Sequence, residues 1–571
     1  MSRFSSLASA ALLVTVVTLA SRIVGFGRWL AQGAWLGSDG VGTVFNSANQ
    51  LPNLLFEVAA GGALAGAVVP LLAGPLSRAL LPAGGGQDSA AAKDQASRTA
   101  SALLGWTLVV LIPLAGLMAL LARPIIGLTG LDDPVHADVA TSFLRVFAVQ
   151  VPLYGLAVVL GGILQAHKRF FWPTFAPLVS SVVVIVVYAV FGALAHGDQQ
   201  DVAALSGRAL DWLAWGTTVG VLFLALPLVV PVWRTGLRLR PTLRFPGGEG
   251  PRAARLAFAG VGALVAQQVS IFLTLRAANA AGGDGTLSVY LYAQQVYLLP
   301  YAVLAFPIAT SAFPHFAEHA SAGRLPELRA LVARTTRTLL LVTSLGVAAL
   351  VAAAPYVERV FDLIVRGDAP GLAAGLMAMA PGLVGFALIL HLSRVLYAVD
   401  HGRAAVVATA SGWGVAALGA ALVPLLFAAR DPGELLRIEV MAALGAVSTV
   451  AMVVAGLGLL LAVRRHLGPE ALDGVWRALG ALVVATALGA AAGLLAAWWQ
   501  AGRPSGWLTT VPAAETEFDG PAFAADLGLG LAVGLLAALV ALLVAVLLDR
   551  DLRTAVGPVV RTVRRKFSRR A

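Results

Sequence analysis

What most constrains this chain is a recurrence of long apolar stretches. Windows of about 20 apolar residues occur fourteen times, at roughly 7–35, 43–76, 99–122, 139–165, 172–195, 209–233, 256–281, 287–315, 335–363, 371–398, 404–428, 439–463, 476–500 and 525–548. A stretch of that length crosses the hydrocarbon layer as a helix, because lipid offers no partner for an unpaired backbone N–H or C=O. Of the 571 residues, 59% are hydrophobic and 12% charged, which excludes an ordinary soluble protein. The expected fold class is an all-α polytopic membrane protein with about 14 transmembrane helices. The first stretch is read as a helix, being far longer than the ~7–15 residue core of a signal peptide. The second, interrupted by Pro52, Gly61, Gly62 and Pro70, is expected to be kinked or partly unwound.

Loop charge tests the count. Connections after even-numbered stretches carry Arg234, Arg238, Arg240, Arg244, Arg252 and Arg255, then Arg464 and Arg465, then the basic tail of residues 549–571. Those after odd-numbered stretches carry Asp39, then Asp132, Asp133 and Asp138, then Asp198 and Asp201, then Asp284. This alternation predicts both termini in the cytoplasm. It also accounts for the net charge of +11, and no nucleic-acid module is visible. Residues 81–98 read as a flexible polar connection and 318–334 as a short basic amphipathic helix. The chain has no cysteine, so disulfides and thiolate metal sites are excluded. No metal site or cofactor is expected.

An internal echo organises the stretches. LPNLLFEVAAGGALAGAVVP (51–70) resembles LPYAVLAFPIATSAFP (299–314), and 153–169 resembles 383–403, each pair six stretches apart. An even offset makes the repeats parallel, two six-helix lobes related by a pseudo-two-fold along the membrane normal. The expected divisions are an N-lobe at 1–235, a basic linker at 236–255, a C-lobe at 256–465, two further helices at 466–548 and the tail.

Polar residues within the stretches would line a cavity between lobes. Arg22 lies about 15 residues into the first stretch, roughly 22 Å deep, where charge needs water, an anion or a carboxylate. With Ser21 and Arg28 it forms one candidate group, SRIVGFGR. Asn53 and Glu57 on the second stretch, Arg276 on the seventh and Gln295 on the eighth complete the candidate substrate-binding set. Three cations against Glu57 point to an anionic substrate group, and the arginine fork suits phosphate. Each residue has a plainer reading: Arg28 and Arg276 can snorkel, Glu57 can pair with an arginine, and Gln295 with its neighbouring tyrosines can bond between helices. No HExxH, GxxxxGK[ST] or GxSxG signature is present, so ATP hydrolysis or another enzymatic activity is not expected.

SRIVGFGR, LPNLLFEVAAGGAL with VVPLLAG, RFFWPTFAP at 169–177 and YAQQVYLLPYAV from Tyr292 resemble the MurJ (MviN) lipid II flippases of the MOP exporter superfamily. The composition, rich in Ala, Gly and Arg, resembles the actinobacterial branch. The resemblance implies alternating-access translocation of undecaprenyl-diphosphate-linked peptidoglycan precursor to the outer leaflet. Arg22 and Arg28 would face the pyrophosphate, and helices thirteen and fourteen would hold the polyprenyl tail. It implies lipid II, membrane lipids and cell-wall synthesis or division proteins as partners; with no ATP-binding motif, energy would have to come from an ion gradient, the membrane potential or consumption of the substrate on the far side. Four charged family positions are not matched, being Thr43, Phe56, Gly61 and Gln295 here. Another polyprenyl-linked glycan, a multidrug-type cargo, or a scaffold for wall-synthesis enzymes remain the alternatives.

Overall fold

The structure, a computed structural model, describes residues 2–58, 68–74, 86–246, 250–251, 261–430, 433–500 and 520–552. Regular structure among the described residues is entirely helical. Contacts divide the chain into two compact units, Met1–Ala280 with Val365–Gly367, and Ala281–Ile364 with Asp368–Ala571.

The first unit contains α1 (Ser2–Leu36), α2 (Val41–Phe56), α3 (Gly86–Leu120), the short α4 (Ala122–Gly127), α5 (Pro134–Phe147), α6 (Gln150–Ala166), α7 (Phe171–Leu194), α8 (Gly207–Trp233) and most of α9 (Val261–Gly282). Local chemistry sets several of these boundaries. Asp133 accepts from the N–H groups of Val135 and His136 while Pro134 occupies the first turn, so α5 starts there. Ser206 accepts from Ala209 N–H and starts α8 in the same way. Helix α1 packs on α7, α7 on α8, α6 on α8 and α3, and α2 on α5. Phe45 lies at the centre of the core, edge-on to Phe143, Phe147 and Tyr188 with ring centroids 5.7–6.4 Å apart.

In the second unit, α10 (Thr286–Pro300) passes through a π turn (Tyr301–Ala305) into α11 (Phe306–Ser321), followed by α12 (Leu325–Asp362), α13 (Leu372–Met379), α14 (Gly382–Ala398), α15 (Gly402–Phe427), α16 (Glu434–Leu467), α17 (Val475–Gln500) and α18 (Gly520–Leu548). The last two helices pack along α12 and on each other. Their crossing needs small residues: a Cβ on Gly489 would stand 2.4 Å from the Ala537 carbonyl oxygen. The outward side of α18 carries Leu531, Leu535, Leu539, Leu543 and Leu547 at four-residue spacing, all exposed.

Eleven described helices are long and apolar enough to cross a membrane, or twelve if α13 and α14, bent by 48°, form one broken span. The remaining two of the fourteen expected stretches differ for separate reasons. The second is represented by the 16 residues of α2 and by residues 68–74, with 59–67 outside the described residues. The seventh is α9, a 22-residue helix whose Gln267, Gln268, Thr274, Arg276 and Asn279 dilute its hydropathy.

Two local expectations are corrected. Residues 86–98 are not a flexible connection but the first turns of α3, rich in alanine and braced by an Arg98–Asp94 pair at 2.8 Å. The segment 318–334 is not one helix, because Gly323 at φ 67° breaks it between α11 and α12. Gly61, Arg252, Arg255, the loop at 503–519 and the tail from 553 lie outside the described residues.

Candidate functional site

Ser21 and Arg28 are seven residues apart on α1, two turns, and so share a face that is half-buried. Arg22, one position on from Ser21, is turned by about 100° and exposed. Because α1 packs on α7, the Arg28 side chain comes within electrostatic reach of the Tyr188 phenol on α7 and of Tyr154 on α6. Tyr188 is fully buried, and its hydroxyl has no hydrogen-bond partner of regular geometry among the described residues. The guanidinium also lies over the ring of its neighbour Trp29, 5.3 Å from the centroid. Among the described residues no carboxylate pairs with Arg28.

Phe56, the last residue of α2, stacks on Tyr154 with centroids 4.8 Å apart and planes tilted by 34°. An aromatic side chain thus packs where the family resemblance leads one to expect arginine. Glu57 follows and is exposed, with no ion pair among the described residues. Asn53 donates to the Asn49 carbonyl of its own helix at 3.0 Å. Helices α1 and α2 are clasped by a buried hydrogen bond from Gln32 Nε2 to Asn46 Oδ1, 2.8 Å.

The structure gives Arg276 a different position. Its Nη1 donates to the carbonyl of Leu128, the residue that caps α4, at 3.0 Å. One turn on, Asn279 Nδ2 donates to Ser47 Oγ at 2.9 Å and to the Thr129 carbonyl at 3.0 Å. Arg276 and Asn279 therefore tie α9 to α2 and to the end of α4.

In the second unit Gln295 is half-buried on α10 and makes no hydrogen bond among the described residues. The tyrosines near it are packing residues: Tyr292 lies 5.6 Å from Phe361, and Tyr301 lies 4.8 Å from Phe386. Both units share one backbone device. Glu57 and Val58, directly after α2, are π-helical, and so are Tyr301–Ala305. These breaks fall within the two LP-containing segments that echo one another in sequence. Interrupted helices at corresponding places in two repeats are a mark of transporter binding sites.

Sequence reasoning missed Tyr154 and Tyr188. The available signal was slight: each is a single hydroxyl within an otherwise apolar run, YGLAVVLGG and VVIVVYAVF.

The family model described as "Lipid II flippase MurJ" matches residues 33–504. The chain belongs to the lipid II flippase MurJ family. Among MurJ relatives it is similar to the "Probable lipid II flippase MurJ" of Rhizobium meliloti (strain 1021), 29% identical over 358 residues, covering 60% of this chain and 61% of that protein. It is also similar to the "Lipid II flippase MurJ" of Burkholderia cenocepacia, 28% identical over 401 residues, covering 68% of this chain and 73% of that protein. In fold it is similar to a solved structure of "Lipid II flippase MurJ, inward closed conformation", with a TM-score of 0.64, 17% identity, and 92% of this chain and 98% of that one covered. A multidrug resistance MATE family transporter of the MOP superfamily in an inward-facing conformation gives a TM-score of 0.60 at 16% identity, with 81% of this chain and 98% of that one covered. The protein is thus a multi-pass membrane protein of a MurJ transporter family.

Proposed function

We propose that this protein is a flippase that moves undecaprenyl-diphosphate-linked peptidoglycan precursor from the cytoplasmic to the outer leaflet of the cytoplasmic membrane, with both termini in the cytoplasm. The observation that carries this reading is Arg28, a half-buried guanidinium whose charge acts on two phenols and which pairs with no carboxylate among the described residues, in a chain of the MurJ family. A cation kept from water without a counter-ion is costly, and an incoming diphosphate supplies the counter-charge with two-pronged geometry. Ser21 on the same face adds a hydroxyl, and exposed Arg22 extends the positive field along the helix. The two tyrosines near it are uncharged and leave its charge uncompensated. No bond is made or broken in this scheme, so the protein acts as a transporter and not an enzyme. Its direction comes from an ion gradient, the membrane potential or consumption of the substrate outside.

The test is depletion of the protein in its host, with labelled lipid II probed for exposure on the outer leaflet and rescue attempted with wild type, Arg22→Ala and Arg28→Ala. The reading stands if exposure falls and wild type restores it while Arg28→Ala, present at wild-type abundance, does not. Unchanged exposure on depletion would transfer the protein to another polyprenyl-linked cargo or to a scaffolding role.

A further inference from the structure

Within the first unit a narrow cavity of about 240 Å³ follows α6. Tyr154 and Phe56 wall one end, Val158 and Gly161 lie along its length, and Gln165 stands at the other end. From Tyr154 to Gln165 is about 16 Å at 1.5 Å per residue. Apart from that phenol and that amide, the lining side chains are apolar.

Size and chemistry restrict the occupant. The volume is below the ~300–1,000 Å³ of sites for drug-sized ligands, so a glycan carrying a peptide does not enter, whereas a thin hydrocarbon does. Tyr154 belongs to both places: its ring borders the cavity, and its hydroxyl lies within reach of the Arg28 charge. A ligand that fits both has a hydrocarbon chain beginning directly at an anion.

We propose that this cavity binds the isoprene units bonded to the diphosphate of a polyprenyl substrate, so that Arg28 and the α6 cavity together recognise the junction of phosphate and isoprene. The proposal rests on the flippase reading and adds to it a second point of recognition, in the first unit. It also gives Phe56 a role: an aromatic side chain at that position extends the apolar wall to the edge of the charged site.

Gly161 offers a clean way to fill the cavity. A Cβ there meets only Leu228 Cδ1 and Pro173 Cβ, each at 3.9 Å, which is ordinary contact. The neighbouring Gly162 is unsuitable, since its Cβ would come 2.4 Å from Val68 Cγ1. The full-length protein in nanodiscs is titrated with farnesyl diphosphate, with inorganic diphosphate and with phosphatidylglycerol as a bulk-lipid competitor. Wild type is expected to bind farnesyl diphosphate about tenfold more tightly than inorganic diphosphate, from burial of the hydrocarbon. Gly161→Leu and Val158→Phe are expected to abolish that difference and to leave inorganic diphosphate binding unchanged. Equal binding of farnesyl diphosphate by wild type and by both variants, all with wild-type melting temperatures, would overturn the proposal, as would its displacement by phosphatidylglycerol at equal concentration. Should the variants unfold, a photoreactive farnesyl diphosphate analogue decides the matter on wild type: adducts on residues 154–165 support the site, and adducts confined elsewhere overturn it. If Arg28→Ala binds both diphosphates as wild type does, the flippase reading fails, whatever the cavity variants do.

Discussion

Two arginines of the second unit and one of the first are handled in opposite ways. In the second unit Arg359 on α12 meets Asp526 on α18 at 3.0 Å, and Arg477 on α17 meets Asp549 just past α18 at 3.4 Å. Both carboxylates are almost fully buried, so each arginine closes an electrostatic account within the protein. In the first unit Arg28 faces the neutral phenols of Tyr154 and Tyr188. Paired arginines act as glue between helices, whereas an arginine held by phenols retains its charge for something that arrives. The difference lies in the neighbours, and the residue type alone does not reveal it.

Replacing Arg28 by alanine gives the largest expected effect. Loss of charge-assisted bonds of about 1.5–3 kcal/mol corresponds to roughly 10–150-fold weaker diphosphate binding, with little change in melting temperature. Titration calorimetry and a thermal melt on the same sample check both halves. A protein that melts much earlier with unaltered affinity would place Arg28 among the glue.

The opposite pattern is expected for Asp526→Ala. It leaves Arg359 without its carboxylate, and because that side chain is 49% exposed the loss is about 1–3 kcal/mol of stability, less than for a fully buried pair. Diphosphate affinity should be unchanged in whatever fraction remains folded. A second contrast uses tyrosines. Tyr356 donates to Gln500 Oε1 at 2.7 Å, so Tyr356→Phe should cost about 1 kcal/mol of stability and leave transport alone. Tyr188→Phe removes a buried hydroxyl that lies near Arg28 and has no partner of regular geometry among the described residues, so stability should hold or rise slightly while diphosphate binding weakens a few-fold. Equal stability losses in the two variants would mean that the two hydroxyls are bonded alike.

The smallest effect concerns the start of α5. Hydrogen bonds to Asp133, chiefly from the His136 N–H, hold its carboxyl below the usual carboxylate range. Its folded-state value is depressed, so its contribution to stability is present above the unfolded value and is lost as pH falls through the folded one. Hydrogen-exchange protection factors over residues 135–138, taken relative to the intrinsic rate at each pH, should therefore fall on acidification in wild type. Asp133→Asn, which keeps a capping oxygen, should lose that dependence.

Much of the fold was legible because lipid imposes a simple rule on length and polarity. Among the described residues eleven spans, or twelve with α13 and α14 as one broken span, follow from apolar runs, and the two stretches that do not pass the same test are those richest in amides and hydroxyls or interrupted by glycine and proline. The connection at 86–98 was misread because its charges look like a linker, although its alanines and its Arg98–Asp94 pair favour a helix. Ser21, Arg22 and Arg28 were legible only as one group; that a spacing of seven sets Ser21 and Arg28 on one face and leaves Arg22 exposed on another is what the structure adds. The place of Arg276 was not legible, since its acceptor is a main-chain carbonyl 148 residues away, which leaves no pattern in sequence. Tyr154 and Tyr188 were invisible for the same reason: what matters is which helix packs on α1, and hydrophobicity does not encode neighbours.

The π turn at Tyr301–Ala305 has a mechanical consequence of its own. Such a turn stores one residue more than the α-helix around it. Were it to relax into α geometry, everything beyond it on α11 would rotate by about 100° and advance by about 1.5 Å, with no bond stretched and no loop rebuilt. A single stored residue is thus a ready-made screw thread, able to change which side chains of α11 a passing molecule meets.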